Sequence, residues 1–210
     1  MPSTPLVCTA GAKFNSSMPL PSDGVCDFTF YGSMHKDGLN TLLGPYDESF
    51  EHFLAFAGRH SRTQYGVGLN HGTVRDSTEI FTGHSGTTVI ESLAERKTFH
   101  FGVINTPTWA TTNDLKNILK VLMVVSTLTA RRRTKGPRSY TAFAASLKMA
   151  GAINEVATIL KEMFTPNLII SYGHLFAHDQ LWPDCKILPP TFLIEPDSFS
   201  YRYNLKDQST

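Results

Sequence analysis

The sequence predicts an α/β domain built on a parallel sheet. Three observations carry this. Strand-like and helix-like segments alternate along the chain, as crossover connections between parallel strands require. The 210 residues suit one large domain better than two small ones. An apolar fraction of 41% against 18% charged residues is enough to fill a core. About six strands are read from the pattern, which fits either an open doubly wound sheet or a (β/α) barrel. A full barrel usually takes about 250 residues, so a barrel here would be cut short.

The elements follow in order. Leu6-Val7-Cys8-Thr9 is a short extended run, and Pro19 to Gly24 is a connector. Asp27-Phe28-Thr29-Phe30-Tyr31 is aromatic and reads as a buried strand. Gly32 to Pro45 reads as a polar loop. Asp47 to Arg59 places Phe50, Phe53, Leu54 and Ala57 at helical spacing. Gln64 to Leu69 is a glycine-containing strand, Val89 to Lys97 a helix, and Phe99 to Asn105 the next strand. Thr112 to Arg132 is the clearest helix, with Leu115, Ile118, Leu119, Leu122 and Val125 on one face. Thr111 or Thr112 suits its N-cap, with Asp114 in the first turn. Tyr140 to Leu147 is strand-like, Ala152 to Phe164 helical up to Pro166, and Leu168 to Tyr172 a buried strand. The proline-rich stretch from Trp182 onward holds a last candidate strand, Thr191 to Ile194.

Several function classes lack support. A net charge of +1 gives no bulk attraction to nucleic acid or a membrane surface. The basic cluster Arg131-Arg132-Arg133-Thr134-Lys135, with Arg138, reads as a solvated helix end. No run is long and apolar enough to span a bilayer, since Leu119 to Leu128 is interrupted by Lys120, Ser126 and Thr127. No signal peptide is visible at Met1-Pro2-Ser3-Thr4-Pro5. His174 and His178 are four apart but follow a strand, so with His100 they read as hydrogen-bonded histidines, and no metal site is expected. Gly66-Val67-Gly68 with Gly72 lacks dinucleotide-fingerprint spacing and no helix start is read at once after it, so no cofactor is expected. No G-x-S-x-G elbow accompanies any Ser-His-Asp set.

The three cysteines are Cys8, Cys26 and Cys185. Cys8 and Cys26 either pair across neighbouring strands, contributing roughly 3 kcal/mol in the chain-entropy model, or stay reduced and buried. Asn15-Ser16-Ser17 between them is an N-glycosylation acceptor sequence. Together these favour a secreted protein.

A family resemblance appears at Cys8 to Tyr31. Cys26-Asp27-Phe28-Thr29-Phe30-Tyr31-Gly32-Ser33 resembles the second strand of family-eighteen glycoside hydrolases, the chitinases and chitinase-like lectins, whose first strand ends in Cys as here at Cys8. Tyr65 to Asn70, Phe99 to Asn105, Thr141 to Ser146 and Asn167 to Gly173 resemble later strands of that family in the correct order. Pro183-Asp184-Cys185 is similar to a motif of short secreted arthropod proteins. The resemblance implies a Cys8–Cys26 disulfide. It also implies an incomplete (β/α) barrel of about six parallel strands with outer helices, like a truncated TIM barrel, over residues 1–180, followed by a proline-rich extension at 181–210.

The departures bear on activity. Chitinases of this family use the sugar's own N-acetyl group as nucleophile, one Asp to orient it and one Glu as proton donor. Here no acidic residue lies between Glu95 and Asp114, so the fourth-strand motif lacks its carboxylates in either register. An amide at Asn105 can orient an acetamido group but cannot protonate a leaving group. Gly173 stands at the sixth-strand Asp position. No catalytic residue is therefore assigned. Glu48, Glu51, Asp76, Glu79 and Asp179, all outside the strands, are the carboxylates that an altered hydrolase would need.

The expected function is a catalytically inactive, secreted chitinase-like domain that either binds an N-acetylglucosamine-containing glycan or acts through protein contacts. Its alternatives are an active hydrolase of altered mechanism and a protein-interaction module without a glycan site. Sugar binding needs aromatic faces and amides at the C-terminal ends of strands. The candidates are Tyr31, Asn70, Asn105, Trp109, Tyr172 and His174, with Tyr31 and Tyr172 alternatively filling the barrel interior and Trp182 capping its open end. Expected partners are a chitin-type oligosaccharide or a host protein, with self-association through open barrel edges or Cys185.

Overall fold

The computed structural model describes residues 5–11, 13–18, 20–107, 109–131, 137–145 and 153–171. Six parallel strands form a curled half-barrel: β1 (Val7–Gly11), β2 (Phe28–Gly32), β5 (Gln64–Gly68), β6 (Thr98–Val103), β7 (Thr141–Ala145) and β8 (Leu168–Ser171), hydrogen-bonded in that order. The remaining strands, β3 (His35–Lys36) and β4 (Leu39–Asn40), make a small antiparallel hairpin. Helices α1 (Glu48–Arg59), α2 (Val74–Thr82), α3 (Ser85–Glu95), α4 (Thr112–Arg131) and α5 (Ile153–Met163) fill the crossovers. The sheet is thus the parallel α/β sheet that the strand-helix alternation predicts, curled into the incomplete barrel that the family resemblance implies rather than an open doubly wound sheet.

Two elements depart from the sequence reading. The segment Gly32 to Pro45, expected to be a plain polar loop, contains the β3–β4 hairpin around Asp37 and Gly38, both at positive φ. Asn40 anchors the hairpin by donating from Nδ2 to Ser77 Oγ of α2 at 2.7 Å. After β5, where no helix start is read, a 3₁₀ turn (His71–Thr73) leads directly into α2. The sequence candidates Tyr172, His174, His178, Asp179, Trp182, Cys185, the strand at 191–194, the extension at 181–210 and the basic residues 132–135 lie outside the described residues.

Both faces of the sheet are packed. On the outer face Tyr31, Tyr65, Val67, Phe101, Val103 and Phe143 meet the apolar stripes of the helices, including Phe50, Phe53 and Leu54 of α1 and Leu115, Ile118, Leu119 and Leu122 of α4. On the concave face a smaller cluster joins Phe28, Phe30, Ile104, Ala142, Ala144 and Leu168. Large inward side chains on β2 are accommodated by small ones opposite. A Cβ on Gly66 would stand 2.6 Å from the Phe30 ring and 2.8 Å from both Cβ and the carbonyl oxygen of His100.

His100 is the polar centre of this concave core. It is fully buried, with Phe28 edge-on at 5.2 Å and Tyr140 stacked at 5.4 Å. The Tyr140 backbone N–H donates to its Nδ1 at 3.1 Å, and its Nε2 lies 3.0 Å from Gln64 Oε1. An Nδ1 that accepts leaves the proton on Nε2, so this is a neutral, fully satisfied imidazole. Burial pushes its pKa down to about 3.

Local devices fix the ends of the elements. The Asp47 carboxylate accepts from Phe50 N at 2.9 Å as the α1 N-cap, a feature worth about 1 kcal/mol. Of the two N-cap candidates for α4, Thr111 takes the role. Its Oγ1 accepts from Asp114 N, and Asp114 Oδ2 accepts from Thr111 N at 2.9 Å, a reciprocal capping box. Cys8 and Cys26 form a disulfide with their Cα atoms 6.1 Å apart, joining β1 to the entry of β2. At the same end of the sheet, the Asp23 carboxylate accepts from the backbone N–H groups of Ser61, Arg62 and Thr63. The Thr63 and Ser61 donors lead in holding its pKa well below the usual carboxylate range.

Two stability outcomes follow from the concave core. Gly66→Ala is expected to lower the urea midpoint by the equivalent of about 1–3 kcal/mol. Gly11→Ala, whose Cβ meets nothing within 4 Å, should cost far less; equal effects would mean that the core gives way at Gly66. For His100, the depressed folded pKa means that the unfolded chain binds the proton first. Its stabilisation is complete above pH 6.5 and is lost as pH falls from there towards 3, at up to about 1.4 kcal/mol per pH unit. Urea midpoints from pH 7 to pH 4.5 should show that slope in the wild type and a shallower one in His100→Phe; parallel curves would assign the slope elsewhere.

Candidate functional site

The C-terminal ends of the strands carry the loops where barrel proteins place their sites. Among the described residues, this end gathers Ser33 after β2, Asn70 and His71 after β5, Asn105 and Thr106 after β6, and Trp109 ahead of α4. The cluster is knitted by side-chain hydrogen bonds. Asn70 Oδ1 accepts from Gly72 N at 2.8 Å, and Asn70 Nδ2 donates to Ser33 Oγ at 3.1 Å. Asn105 Oδ1 accepts from His71 N at 3.2 Å. The two asparagines tie the ends of β2, β5 and β6 into one rim.

Trp109 is the most exposed large apolar side chain of the described residues, at 72%. The His71 ring meets it edge-on, with centroids 5.6 Å apart and planes at 76°. That contact braces one side of the indole while the rest faces solvent. Burial pulls the pKa of His71 below its usual value, opposed by the nearby Asp114 carboxylate and reinforced by His35. Asp114 itself is held low chiefly by hydrogen bonds from Thr111. His71 Nδ1 and the hydroxyls of Thr73 and Thr106 are buried without a hydrogen-bond partner among the described residues.

Of the expected ligand residues, the structure brings Asn70, Asn105 and Trp109 together. It places Tyr31 elsewhere. The Tyr31 side chain points to the helix layer, not to the barrel interior that was its alternative. It is 2% exposed, packed on Phe50 and Phe53, with its hydroxyl donating to Ser49 Oγ at 3.2 Å. Tyr172 and His174 lie outside the described residues. His71 is the site residue that the sequence reading passed over. Its available signal was the Asn70-His71-Gly72 turn directly after a strand.

The carboxylates singled out in the sequence lie on helices α1 and α2, except Asp179, which is outside the described residues. None of the six sheet strands carries an acidic residue. Glu51 is paired with Arg96 through two hydrogen bonds, of 2.6 and 3.1 Å, and this pairing lowers its pKa. Glu48 lies 3.2 Å from His52 on the exposed face of α1, and Asp76 and Glu79 are exposed on α2. Among the described residues no group of three or more His, Cys, Asp or Glu side chains is arranged to hold a metal ion. No described helix is long and apolar enough to cross a membrane.

No protein-family model matches the chain, and no curated protein matches it. Among solved structures it is similar to the chitinase domain of the spore coat protein CotE from Clostridium difficile, at 13% sequence identity with a TM-score of 0.42. The match covers 74% of this chain and 47% of that one. The chain therefore spans about half the length of that structure.

The His71–Trp109 contact has an optical consequence. In a Trp182→Phe background, Trp109 fluorescence should be quenched as His71 gains its proton. The midpoint should lie below the ordinary histidine value of 6.5. His71→Phe should abolish the transition; an unchanged titration would separate the two rings in solution.

Proposed function

We propose that this protein is a secreted chitinase-like domain that binds N-acetylglucosamine-containing oligosaccharides without cleaving them, using Trp109 as the platform. The observation that carries the reading is the exposed indole at the C-terminal rim of the half-barrel, braced by His71. A pyranose ring presents a face of C–H groups that packs on such a surface. Asn70 and Asn105 hold the rim in shape through the bonds that they make to Ser33, Gly72 and His71. The ordered strand motifs that resemble family-eighteen glycoside hydrolases supply the glycan class.

Binding without cleavage is supported by the acids among the described residues. A glycosidase acid must keep its proton near neutral pH, which requires a raised pKa. Asp114, the carboxylate that acts on His71, is displaced in the opposite direction. The disulfide between Cys8 and Cys26 supports an oxidising, extracellular setting. A protein-contact role for the same end is favoured by Leu39 and Leu43, which are 71% and 59% exposed beside the hairpin.

The test is calorimetric titration of the oxidised protein with chito-oligosaccharides, with mass spectrometry of the recovered sugar. Saturable binding is expected, with the sugar intact and affinity falling at least tenfold, about 1.4 kcal/mol, in Trp109→Ala. Shortened sugars would reveal a hydrolase. Unchanged affinity in the variant would move the site away from Trp109. Absence of binding would favour the protein-contact role.

A further inference from the structure

The loop between the two disulfide cysteines holds a second functional feature, independent of the glycan-binding reading. Asn15-Ser16-Ser17 is the single N-x-[ST] triplet in the sequence. All three residues are exposed. Ser17 Oγ donates to Asn15 Oδ1 at 2.6 Å and Ser17 N to the same oxygen at 3.0 Å, so amide and hydroxyl occupy one solvent-facing turn. Asn15 Nδ2 reaches the Lys13 carbonyl only at 3.4 Å, a long contact that leaves the nitrogen open. The turn is nevertheless anchored. The adjacent Phe14 is buried, and its ring meets Phe56 of α1 edge-on at 5.8 Å.

The same loop leaves the end of β1, the first strand in the sheet order, which pairs with β2 on one side and with no other strand among the described residues. Such an edge offers unpaired backbone groups to a second copy of the chain, and proteins commonly block it. The loop closed by Cys8 and Cys26 also matches the oxidising compartment in which N-glycans are attached.

We infer that Asn15 is an N-glycosylation site whose glycan guards the edge of β1 that no other described strand pairs with. The co-reactant is a polyprenyl-diphosphate-linked oligosaccharide. Asn15 Nδ2 forms a bond to C1 of the sugar, the C1–oxygen bond to the diphosphate breaks, the lipid diphosphate leaves with the electron pair, and one amide proton passes to a base of the transferase. Asn15 follows β1, whereas Trp109 follows β6, with β2 and β5 between them in the sheet.

The experiment is secretion of the full chain from insect cells through a fused leader. Peptide N-glycosidase should lower the mass of the secreted protein and convert Asn15 to Asp in the recovered peptide. Asn15→Gln and Ser17→Ala should lose the modification, whereas Ser17→Thr should keep it. A secreted protein with Asn15 unmodified overturns the site. For the guarding role, glycosylated protein and the same folded protein after native enzymatic deglycosylation are compared by light scattering across a concentration series. Self-association of the deglycosylated form alone is expected. Equal oligomeric states in the two forms overturn the guarding role.

Discussion

Where Gly66 would place a side chain, the Phe30 ring and the His100 backbone already stand. Contacts of 2.6 and 2.8 Å to a Cβ leave no alternative residue without movement of two strands. This close approach lets β2, carrying Phe28 and Phe30, curl over β5 and β6, and the curl gives a half-barrel rather than a flat sheet. It also sets the terms for His100. Sealed among Phe28, Phe30 and Tyr140, the imidazole must be neutral, and it stays so because Gln64 and the Tyr140 N–H satisfy both of its nitrogens. A large aromatic pair, a missing side chain and one neutral histidine thus form a single packing unit.

The rim inherits its shape from that unit. Gly68 and Gly102 continue β5 and β6 towards the C-terminal end, where Met34 N bonds Gly68 O and Leu69 N bonds Gly102 O. Beyond these bonds the chain turns outward, and Asn70 and Asn105 take over from the ladder as ties between the strand ends. Trp109 therefore sits on a loop fixed at both sides, by the β6 end and by the Thr111–Asp114 capping box of α4. The opposite end of the sheet is held by the Asp23 carboxylate on three successive backbone N–H groups and by the disulfide.

Much of this was legible in the residues. The stripe on α4 and the apolar positions of α1 are long enough to fix the helical period, and Asp47 marks its helix start. β2, β5, β6 and β8 stand out as short apolar runs between breakers. The hairpin escaped because strands of two residues carry no alternation. α2 escaped because its apolar side chains, Val74, Ile80 and Phe81, are separated by five consecutive residues with none, so no stripe emerges from the spacing. His71 was passed over because its role arises from a neighbour 38 positions later in the chain.

The sequence by itself determined the alternation of strands and helices, the absence of acids between Glu95 and Asp114, and a pair of cysteines able to bridge the first two strands. These are properties of composition and local spacing, and folding does not change them. Only the tertiary structure decided which face each strand residue takes. Phe28, Thr29, Phe30 and Tyr31 are all buried, and a strand buried on both faces gives no sign of which side is concave. Tyr31 therefore went to the helix layer while Phe30 went inward, a difference of one residue in parity. Only the structure brought His71 against Trp109 as well, because that meeting depends on how far β5 and β6 run before each chain turns, and the register between strands is set by packing across the whole sheet.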